Sequence, residues 1–182
     1  MKEISLNILD LAQNSIEAGA KNLSIEVLEN QNGYLLVRLS DDGRGMDEEL
    51  LKAVKDPFKT TRTTRKVGFG IPLVEMDAKQ SGGEVKISSK KGKGTIIEVS
   101  FEQDNIDRPP LGKLIDTVLM LLITNPSLHL VMKYQSKLGT FVLDSKDLHE
   151  ALGDDIRFDE PSVYLWLGEY LKQEFDKVIT IF

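Results

Sequence analysis

The stretch DPFKTTRTTRKVGFGIPL, residues 56–73, concentrates positive charge and hydroxyl groups in an otherwise acidic chain. Eight consecutive positions within it hold no acid and four basic side chains, which are Lys59, Arg62, Arg65 and Lys66. The whole 182-residue chain has a formal net charge of -6. A Gly-x-Gly sequence in this stretch leads into a predicted helix, and helix N-termini present free N–H groups and a positive dipole end. The stretch therefore indicates either a local anion site or a solvated basic loop.

Composition excludes several classes of function. The acidic balance argues against general nucleic-acid binding, which favours a broad basic field. The chain contains no cysteine, which excludes disulfides, thiolate catalysis and cysteine-based metal sites. The strongest apolar run, VLMLLI at residues 118–123, is far shorter than the ~20 residues that cross a bilayer. We therefore expect a soluble, cytoplasmic protein with no nucleic-acid partner and no membrane association.

The segments around the basic stretch alternate between helical and strand patterns. Apolar residues recur at helical spacing over residues 4–16, which predicts an amphipathic helix that ends near Gly19. LSIEVLE and YLLVRLSD alternate like half-buried strands, and the NQNG between them predicts a hairpin. A helix with Asp47 as its N-cap follows, and a second helix runs from about Ile71 to Gly82. EVKISSK and GTIIEVSF then predict a second hairpin.

The composition changes at EQDNIDRPP, which is polar and ends in a proline pair. We place a linker at residues 105–110, between an N-terminal domain at 1–104 and a small C-terminal α+β domain at 111–182. Apolar residues from Leu111 to Leu122 share one helical face, LHLVMKY and GTFVLDS predict a hairpin, and two helical patterns follow. We recognise no family motif in this part. Its apolar helix is either packed inside the domain or a surface for a partner.

The first helix carries a polar stripe at steps of three and four residues. Its members are Glu3, Asn7, Asp10, Asn14 and Glu17. Such a stripe is either a solvated face or a site. In the second interpretation Asn14 offers a neutral oxygen to Mg²⁺, which prefers oxygen ligands, and a carboxylate one turn earlier polarises a water.

The sequence DDGRG, residues 41–45, is either an ordinary turn at the end of a strand or part of a site for a base. A carboxylate can accept a hydrogen bond from the exocyclic amine of a base. Glycines leave room for a flat ring to approach the backbone. The sequence contains neither a GxxxxGK[ST] phosphate loop nor a dinucleotide fingerprint that follows a strand.

Taken in order, LDLAQNSIEAGA, DDGRGM, DPFKTTRTTRKVGFGIPL and SGGEVKISSKKGKGTIIEVSF resemble the four motifs of the GHKL superfamily. This superfamily includes gyrase, heat-shock chaperone ATPases, histidine kinases and mismatch-repair ATPases. The resemblance covers residues 1 to about 102, and its second half is most similar to the histidine kinases. It implies an α/β fold: a two-layer sandwich with a mixed sheet, helices on one face, and ATP with Mg²⁺ between helices and a lid. The positive charge of residues 56–73 would then face a triphosphate.

The resemblance also implies a role for each residue that matches a motif. Asn14 matches the Mg²⁺-binding asparagine, Asp41 the acid that receives the adenine amine, and Thr95 the threonine that supports this acid. The residues that would flank the base are Gly43, Gly45 and Met46. The residues that would meet the phosphates or form the lid are Lys59, Thr60, Thr61, Arg62, Gly68, Phe69, Gly70 and Ile71.

Two departures from the family bear on activity. Hydrolytic members carry Glu four residues before the asparagine, whereas this chain has Asp10, which is one methylene shorter. Asp10 is the candidate general base, although a displacement of roughly an ångström can cost about 10²-fold in rate. Sensor kinases carry their acceptor histidine before the ATP domain, and His129 and His149 both follow it here. Self-phosphorylation of that kind is not expected.

Three functional interpretations stay open. The first is an Mg²⁺-dependent ATPase or a protein kinase that acts on a separate partner. The second is a nucleotide-dependent binding module with little hydrolysis, similar to the stand-alone anti-sigma factors. The third, a remnant that no longer binds nucleotide, is disfavoured because the motif residues all stay in register. A protein partner is expected, and a homodimer formed through residues 111–182 is left open.

Overall fold

The computed structural model describes residues 3–30, 32–55, 70–153 and 157–181. In these residues the chain forms six helices and six strands. In chain order they are α1 (Ile4–Glu17), β1 (Asn22–Glu29), β2 (Tyr34–Asp41), α2 (Glu48–Lys55), α3 (Gly70–Gln80), β3 (Val85–Lys90), β4 (Gly94–Glu102), α4 (Leu114–Thr124), β5 (His129–Ser136), β6 (Gly139–Asp144), α5 (Ser145–Leu152) and α6 (Pro161–Asp176).

The strands form one mixed sheet in the order β3-β4-β2-β1-β5-β6. The predicted hairpins are confirmed, because β1 pairs with β2, β3 with β4, and β5 with β6, each antiparallel. Strand β4 returns antiparallel to β2. The pairing of β1 with β5 is parallel. The sheet is therefore mixed, as the resemblance implies.

The two faces of the sheet differ in chemistry because strand side chains alternate between them. On β1 the buried positions are Leu23, Ile25 and Val27. Helices α1, α3, α4 and α6 contact one another in series and contribute to the same apolar core. On the opposite face Arg38 lies between two acids, 3.9 Å from Glu26 and 3.6 Å from Glu98. The predicted two-layer arrangement, with helices on one face, is confirmed.

The boundary predicted at residues 105–110 does not divide this sheet. Strand β5 pairs with β1 over seven positions, with Leu130 beside Leu23. The segment before α4 also completes α1, which has no side-chain N-cap. The first free N–H groups of that helix, those of Ile4 and Ser5, donate to the carbonyls of Pro110 and Leu111, each at 2.9 Å. The C-terminal part therefore extends the sheet and caps the first helix.

A second connection lies at the far end of β1. The Glu29 carboxylate accepts hydrogen bonds from the Tyr134 hydroxyl on β5 and from the Thr180 hydroxyl after α6. Gln103 Nε2 donates to the same carboxylate at 3.4 Å. Burial raises the pKa of Tyr134 well above its ordinary value, and the Glu29 carboxylate acts in the same direction. Tyr134 therefore remains a neutral hydrogen-bond donor.

Truncation of the chain after residue 104 tests how far the N-terminal part depends on the rest. The fragment loses the carbonyls that cap α1, the helix that covers α1, and the partner of β1. Exposure of each large buried apolar side chain costs roughly 1.5–3 kcal/mol, so we expect a loss of at least about 3 kcal/mol in unfolding free energy. Thermal and urea unfolding of fragment and full chain give the comparison. Equal midpoints would show that residues 1–104 are an independent domain.

Candidate functional site

Asp41 ends strand β2 and is held from two sides. Its Oδ2 accepts a hydrogen bond from Ser15 Oγ at 2.7 Å, and its Oδ1 accepts one from the Gly43 N–H at 2.9 Å. Ser15 is buried on α1, at the interface of the helices with the sheet. A carboxylate offers about four acceptor positions, and these bonds use two of them. Asp41 is therefore fixed in orientation and can still accept from a ligand.

The neighbouring acid has a different role. The Asp42 carboxylate accepts from the main-chain N–H groups of Lys21 and Asn22 at 2.8 and 2.9 Å, and from the Asn22 side chain. The Asn22 N–H and side-chain amide lower the pKa of Asp42. Asp42 therefore stabilises the turn before β1. Of the two acids, Asp41 is the one that contacts the α1 residue of the site, Ser15.

Thr95 lies directly opposite Asp41 in the β2–β4 ladder. Its Oγ1 is 2.9 Å from Ser89 Oγ, which also accepts from the Met46 N–H at 2.8 Å and donates to the Gly94 carbonyl at 2.9 Å. A hydroxyl has one proton, and Ser89 donates its proton to the Gly94 carbonyl, so Ser89 Oγ accepts the hydrogen bond from the Thr95 hydroxyl. The Thr95 oxygen can then accept from a ligand. Ser89 and Ser15 were missed by the sequence analysis. Serines beside motif residues, on an inward face, are the signal that could have found them.

Gly45, which is predicted to flank the base, and Gly94, the first residue of β4, lie where no side chain fits. Gly45 has a φ of 62°, and a Cβ there would lie 2.1 Å from the Lys90 carbonyl oxygen. Gly94 has a φ of 89°, and a Cβ there would lie 1.8 Å from the Asp41 carbonyl oxygen. The backbones of the loop and the β3–β4 turn are therefore in direct contact beside Asp41, as a surface for a flat ligand requires.

The start of α3 lies against the polar face of α1. At Gly70, the first residue of α3, a Cβ would be 3.4 Å from Asp10 Cβ and 3.6 Å from Asn14 Nδ2. The first turn of a helix carries N–H groups without intrahelical partners and the positive end of the dipole. The structure therefore brings together Asp10, Asn14 and a helix N-terminus, which is the arrangement that an anion with a divalent cation would use.

The polar stripe of α1 is not uniformly solvated. Asn7 is 2% exposed, and its Nδ2 donates to Asp77 Oδ2 on α3 at 3.0 Å. Its Oδ1 is buried and has no hydrogen-bond partner among the described residues. Asp10 and Asn14 are half-buried on the same side of the helix. The solvated-face interpretation is therefore wrong for Asn7, which orients α3 on α1.

The remaining predicted residues divide into three groups. Gly43 and Met46 lie in the loop after β2, and Met46 packs against the core while its N–H binds Ser89. The Ile71 side chain is 6% exposed and belongs to the core, so only its main chain can face a ligand. The others lie outside the described residues, and they are Lys59, Thr60, Thr61, Arg62, Gly68 and Phe69.

The donor set fits a magnesium ion that arrives with its own anionic ligands. No group of three or more histidine or acidic side chains that could hold a metal occurs in the described part of the chain. Mg²⁺ commonly keeps waters and is bound through one or two protein groups plus substrate phosphates. Asn14, beside the α3 N-terminus, is placed to be such a group.

Both histidines have structural partners. His129 Nδ1 lies 3.0 Å from Asn22 Oδ1, and His129 Nε2 lies 3.0 Å from Asp144 Oδ1. The His149 ring packs on Phe158 with centroids 4.4 Å apart. Both rings are therefore engaged in contacts within the fold.

Comparison with known proteins identifies the family. The model for "Histidine kinase-, DNA gyrase B-, and HSP90-like ATPase" matches residues 2–105, which is more than half of the chain. The chain therefore belongs to the histidine kinase-, DNA gyrase B- and HSP90-like ATPases, and it carries an ATP-binding domain of the histidine-kinase type.

Three curated relatives are named as kinases, and this chain spans less than a quarter of the length of each. Sporulation kinase E of Bacillus subtilis is 30% identical over 101 residues, which is 56% of this chain and 13% of that protein. Sporulation kinase C of the same organism is 31% identical over 100 residues, or 54% of this chain and 22% of that protein. The sensor histidine kinase ZraS of Salmonella typhimurium is 29% identical over 94 residues, 50% of this chain and 20% of that protein.

A solved structure supports the fold beyond the matched segment. The N-terminal domain of a DNA repair protein superimposes with a TM-score of 0.57 at 16% identity, over 79% of this chain and 53% of that chain. This likeness concerns the fold alone. Among the helices of the described residues, none combines the length and apolarity needed to cross a membrane.

Alanine at Gly45 will disrupt the loop beside Asp41, and Gly92 provides a matched control. Both glycines have a positive φ, so alanine at either incurs a similar strain of about 1–2 kcal/mol. A Cβ at Gly92 meets nothing within 4 Å, whereas one at Gly45 collides with the Lys90 carbonyl. We expect Gly45→Ala to lower the unfolding free energy by at least about 1 kcal/mol more than Gly92→Ala. Equal losses in urea unfolding would contradict the close contact.

Proposed function

We propose that this protein binds ATP with Mg²⁺ and acts as an ATPase or as a protein kinase on a separate protein partner. The observation that carries the proposal is that one helix, α1, contributes residues to two neighbouring half-sites. Ser15 holds Asp41 at one of them, and Asp10 with Asn14 faces the α3 N-terminus at the other. Asp10 and Ser15 are five residues apart, or ~7.5 Å along a helix axis. This spacing suits a ligand with a base at one end and phosphates at the other.

At the first half-site Asp41 would receive the adenine amine. Its orientation is fixed by Ser15 and Gly43, so little freedom is lost when a ligand N–H replaces water. The Thr95 oxygen, on the adjacent strand, is the second acceptor at the same position. Gly45 and Gly94 provide the flat backbone surface beside it.

At the second half-site the N–H groups of the first turn of α3 would bind phosphate oxygens. Asn14 Oδ1 would be the protein ligand of Mg²⁺. Bound Mg²⁺ supplies positive charge that offsets the charge developing on the phosphate oxygens. Lys59, Thr60, Thr61 and Arg62 are proposed to belong to the lid, because the sequence places them in the basic stretch before α3.

Asp10 is proposed as the group that accepts a proton from the attacking water or hydroxyl. It lies on the same face of α1 as Asn14, one turn earlier, and beside Gly70. An aspartate is one methylene shorter than the glutamate of hydrolytic relatives, so an additional water would complete the distance. The names of two curated relatives, which are kinases, favour phosphoryl transfer. The acceptor that we propose is a separate protein in the cytoplasm.

The short reach of Asp10 also favours a second candidate function. With a poorly placed base, the protein would bind ATP, change its lid and engage a partner without appreciable turnover, as a nucleotide-dependent regulatory module. The two functions share the ATP site and differ in the rate at which the γ-phosphate is released or transferred. The experiment below on Asp10 separates them.

Asp41→Asn tests the base-binding role. Loss of a charge-assisted hydrogen bond should weaken binding of both ATP and adenosine by about tenfold or more. Titration calorimetry with each ligand gives the dissociation constants. Asp42→Asn is the matched control, because its carboxylate is used in the turn before β1 and affinity should stay unchanged. Undiminished adenosine binding in Asp41→Asn, with the fold intact by circular dichroism, would refute the assignment.

Asp10→Asn tests the catalytic role. A general base contributes about 10²–10⁴-fold, so phosphate release or transfer should fall by at least about a hundredfold. ATP affinity should change little, because Asp10 is not proposed to bind the nucleotide itself. Asp10→Glu should retain or raise the rate by restoring the reach. Binding of ATP without turnover by the wild type, alone and with candidate partners, would support the regulatory function instead.

A further inference from the structure

Strand β6 forms one free edge of the sheet. It is the last strand in the order, and among the described residues only β5 pairs with its backbone. Alternate N–H and C=O groups of an edge strand point outward without partners and can pair with another strand. The question is whether the rest of the molecule protects this edge.

The two edge strands of the sheet differ in the charged side chains that they carry. Strand β3, at the opposite edge, carries Lys86 and Lys90, both exposed, and charged side chains of this kind discourage pairing with other strands. Strand β6, with the sequence GTFVLD, contains no lysine, arginine or proline, and its one charge, Asp144, is at its end. Its central residue Val142 is 58% exposed. The edge at β6 is therefore open in a way that the edge at β3 is not.

An apolar surface lies directly beside this edge. Strand β6 and helices α5 and α6 line a groove of about 510 Å³. On α6 the rings of Trp166 and Tyr170 stack with centroids 5.5 Å apart, although the two residues are 51% and 45% exposed. Leu138, in the turn before β6, is 59% exposed. Stacked, rigid aromatic side chains at a surface are typical of interface centres.

We propose that a second copy of this chain binds here, with β6 pairing antiparallel to β6 of the copy about a two-fold axis. The interface joins the two sheets into one and brings the Trp166–Tyr170 pair of each copy beside the groove of the other. A closed two-fold contact uses the same patch on both copies, so one operation covers both the open strand and the apolar helix face.

The charges of β6 fit this self-pairing. A two-fold axis perpendicular to the sheet places each face of one copy on the same side as the corresponding face of the other. Only residues that point to the same face can therefore lie opposite each other. The axis must therefore pass beside a residue and not between two residues. Pairing along the whole of β6 places it beside one of the two central residues, Phe141 or Val142. Asp144 then lies opposite Leu138 or Thr140 of the copy, and never opposite another Asp144. Like charges directly opposite would destabilise the pair, and none occurs within β6.

The proposed interface leaves the ATP site free. Strand β2, which carries Asp41, is three strands away from β6 in the sheet, or ~14 Å. Changes at the edge can therefore be judged by oligomeric state with nucleotide binding as an internal check.

The first test compares two matched substitutions. Val142→Lys places two like charges either directly opposite each other, if the axis lies beside Val142, or diagonally across it, if the axis lies beside Phe141. Ser88→Lys adds the same charge to an exposed position of the other edge strand. Light scattering and sedimentation should show a wild-type dimer, a Ser88→Lys dimer, and a Val142→Lys dimer weakened by at least about tenfold in dissociation constant. Unfolding midpoints measured at concentrations where all three proteins are monomeric, and ATP affinity, should be unchanged. A monomeric wild type, or equal dimer strength in both variants, would overturn the proposal.

The second test uses the absence of cysteine from the chain. Chains with Val142→Cys alone should form a disulfide-linked dimer on mild oxidation if the axis lies beside Val142. An equimolar mixture of Thr140→Cys and Val142→Cys chains should cross-link preferentially if the axis lies beside Phe141. Ser88→Cys should give only the background of random collisions. Cross-linking no faster than this background in both experiments would exclude self-pairing and leave the edge to a foreign peptide.

Discussion

The hydrogen bond from Ser15 to Asp41 is the contact on which the site depends. It joins the helix layer to the sheet at the end of β2, and its donor is one residue from Asn14. Ser15 is 5% exposed, so its charge-assisted hydrogen bond to the carboxylate is costly to break, because water has little access to replace it. The bond therefore sets the position of α1 along the strand. Everything that α1 presents to a ligand, from Asn14 back to Asp10, takes its place from this contact.

The C-terminal part contributes to the same helix from its other end. The carbonyls of Pro110 and Leu111 cap α1, and α4 packs along it. Helix α1 is thus fixed by β2 near its C-terminus and by residues 110–111 at its N-terminus. A partner that displaced α4 would loosen Asp10 before it disturbed Asp41. Under the proposed function, the last third of the chain could therefore influence turnover without changing base recognition.

Sequence patterns predicted the helices and the three hairpins, because alternation and helical spacing report directly on which side of an element is buried. The mixed sheet was implied by the resemblance to the family. Motif order predicted Asp41, Thr95 and Gly45, whose roles stay predictions. Patterns could not predict that β5 would pair with β1, since periodicity identifies a strand and not its neighbour. They also missed Ser15 and Ser89, since a small hydroxyl residue has no distinctive spacing and becomes important only once its partners are in contact.

The parallel pairing of β1 with β5 has a consequence for folding during synthesis. Asn22 and His129, at the start of these strands, are separated by 107 positions. The edge of β1 that pairs with β5 therefore stays unpaired until most of the chain has left the ribosome. Contacts so distant in sequence slow folding because a large loop must close first. During synthesis the nascent N-terminal part therefore exposes an unpaired hydrophobic strand. This is the interval in which a chaperone that binds exposed strands would be most useful.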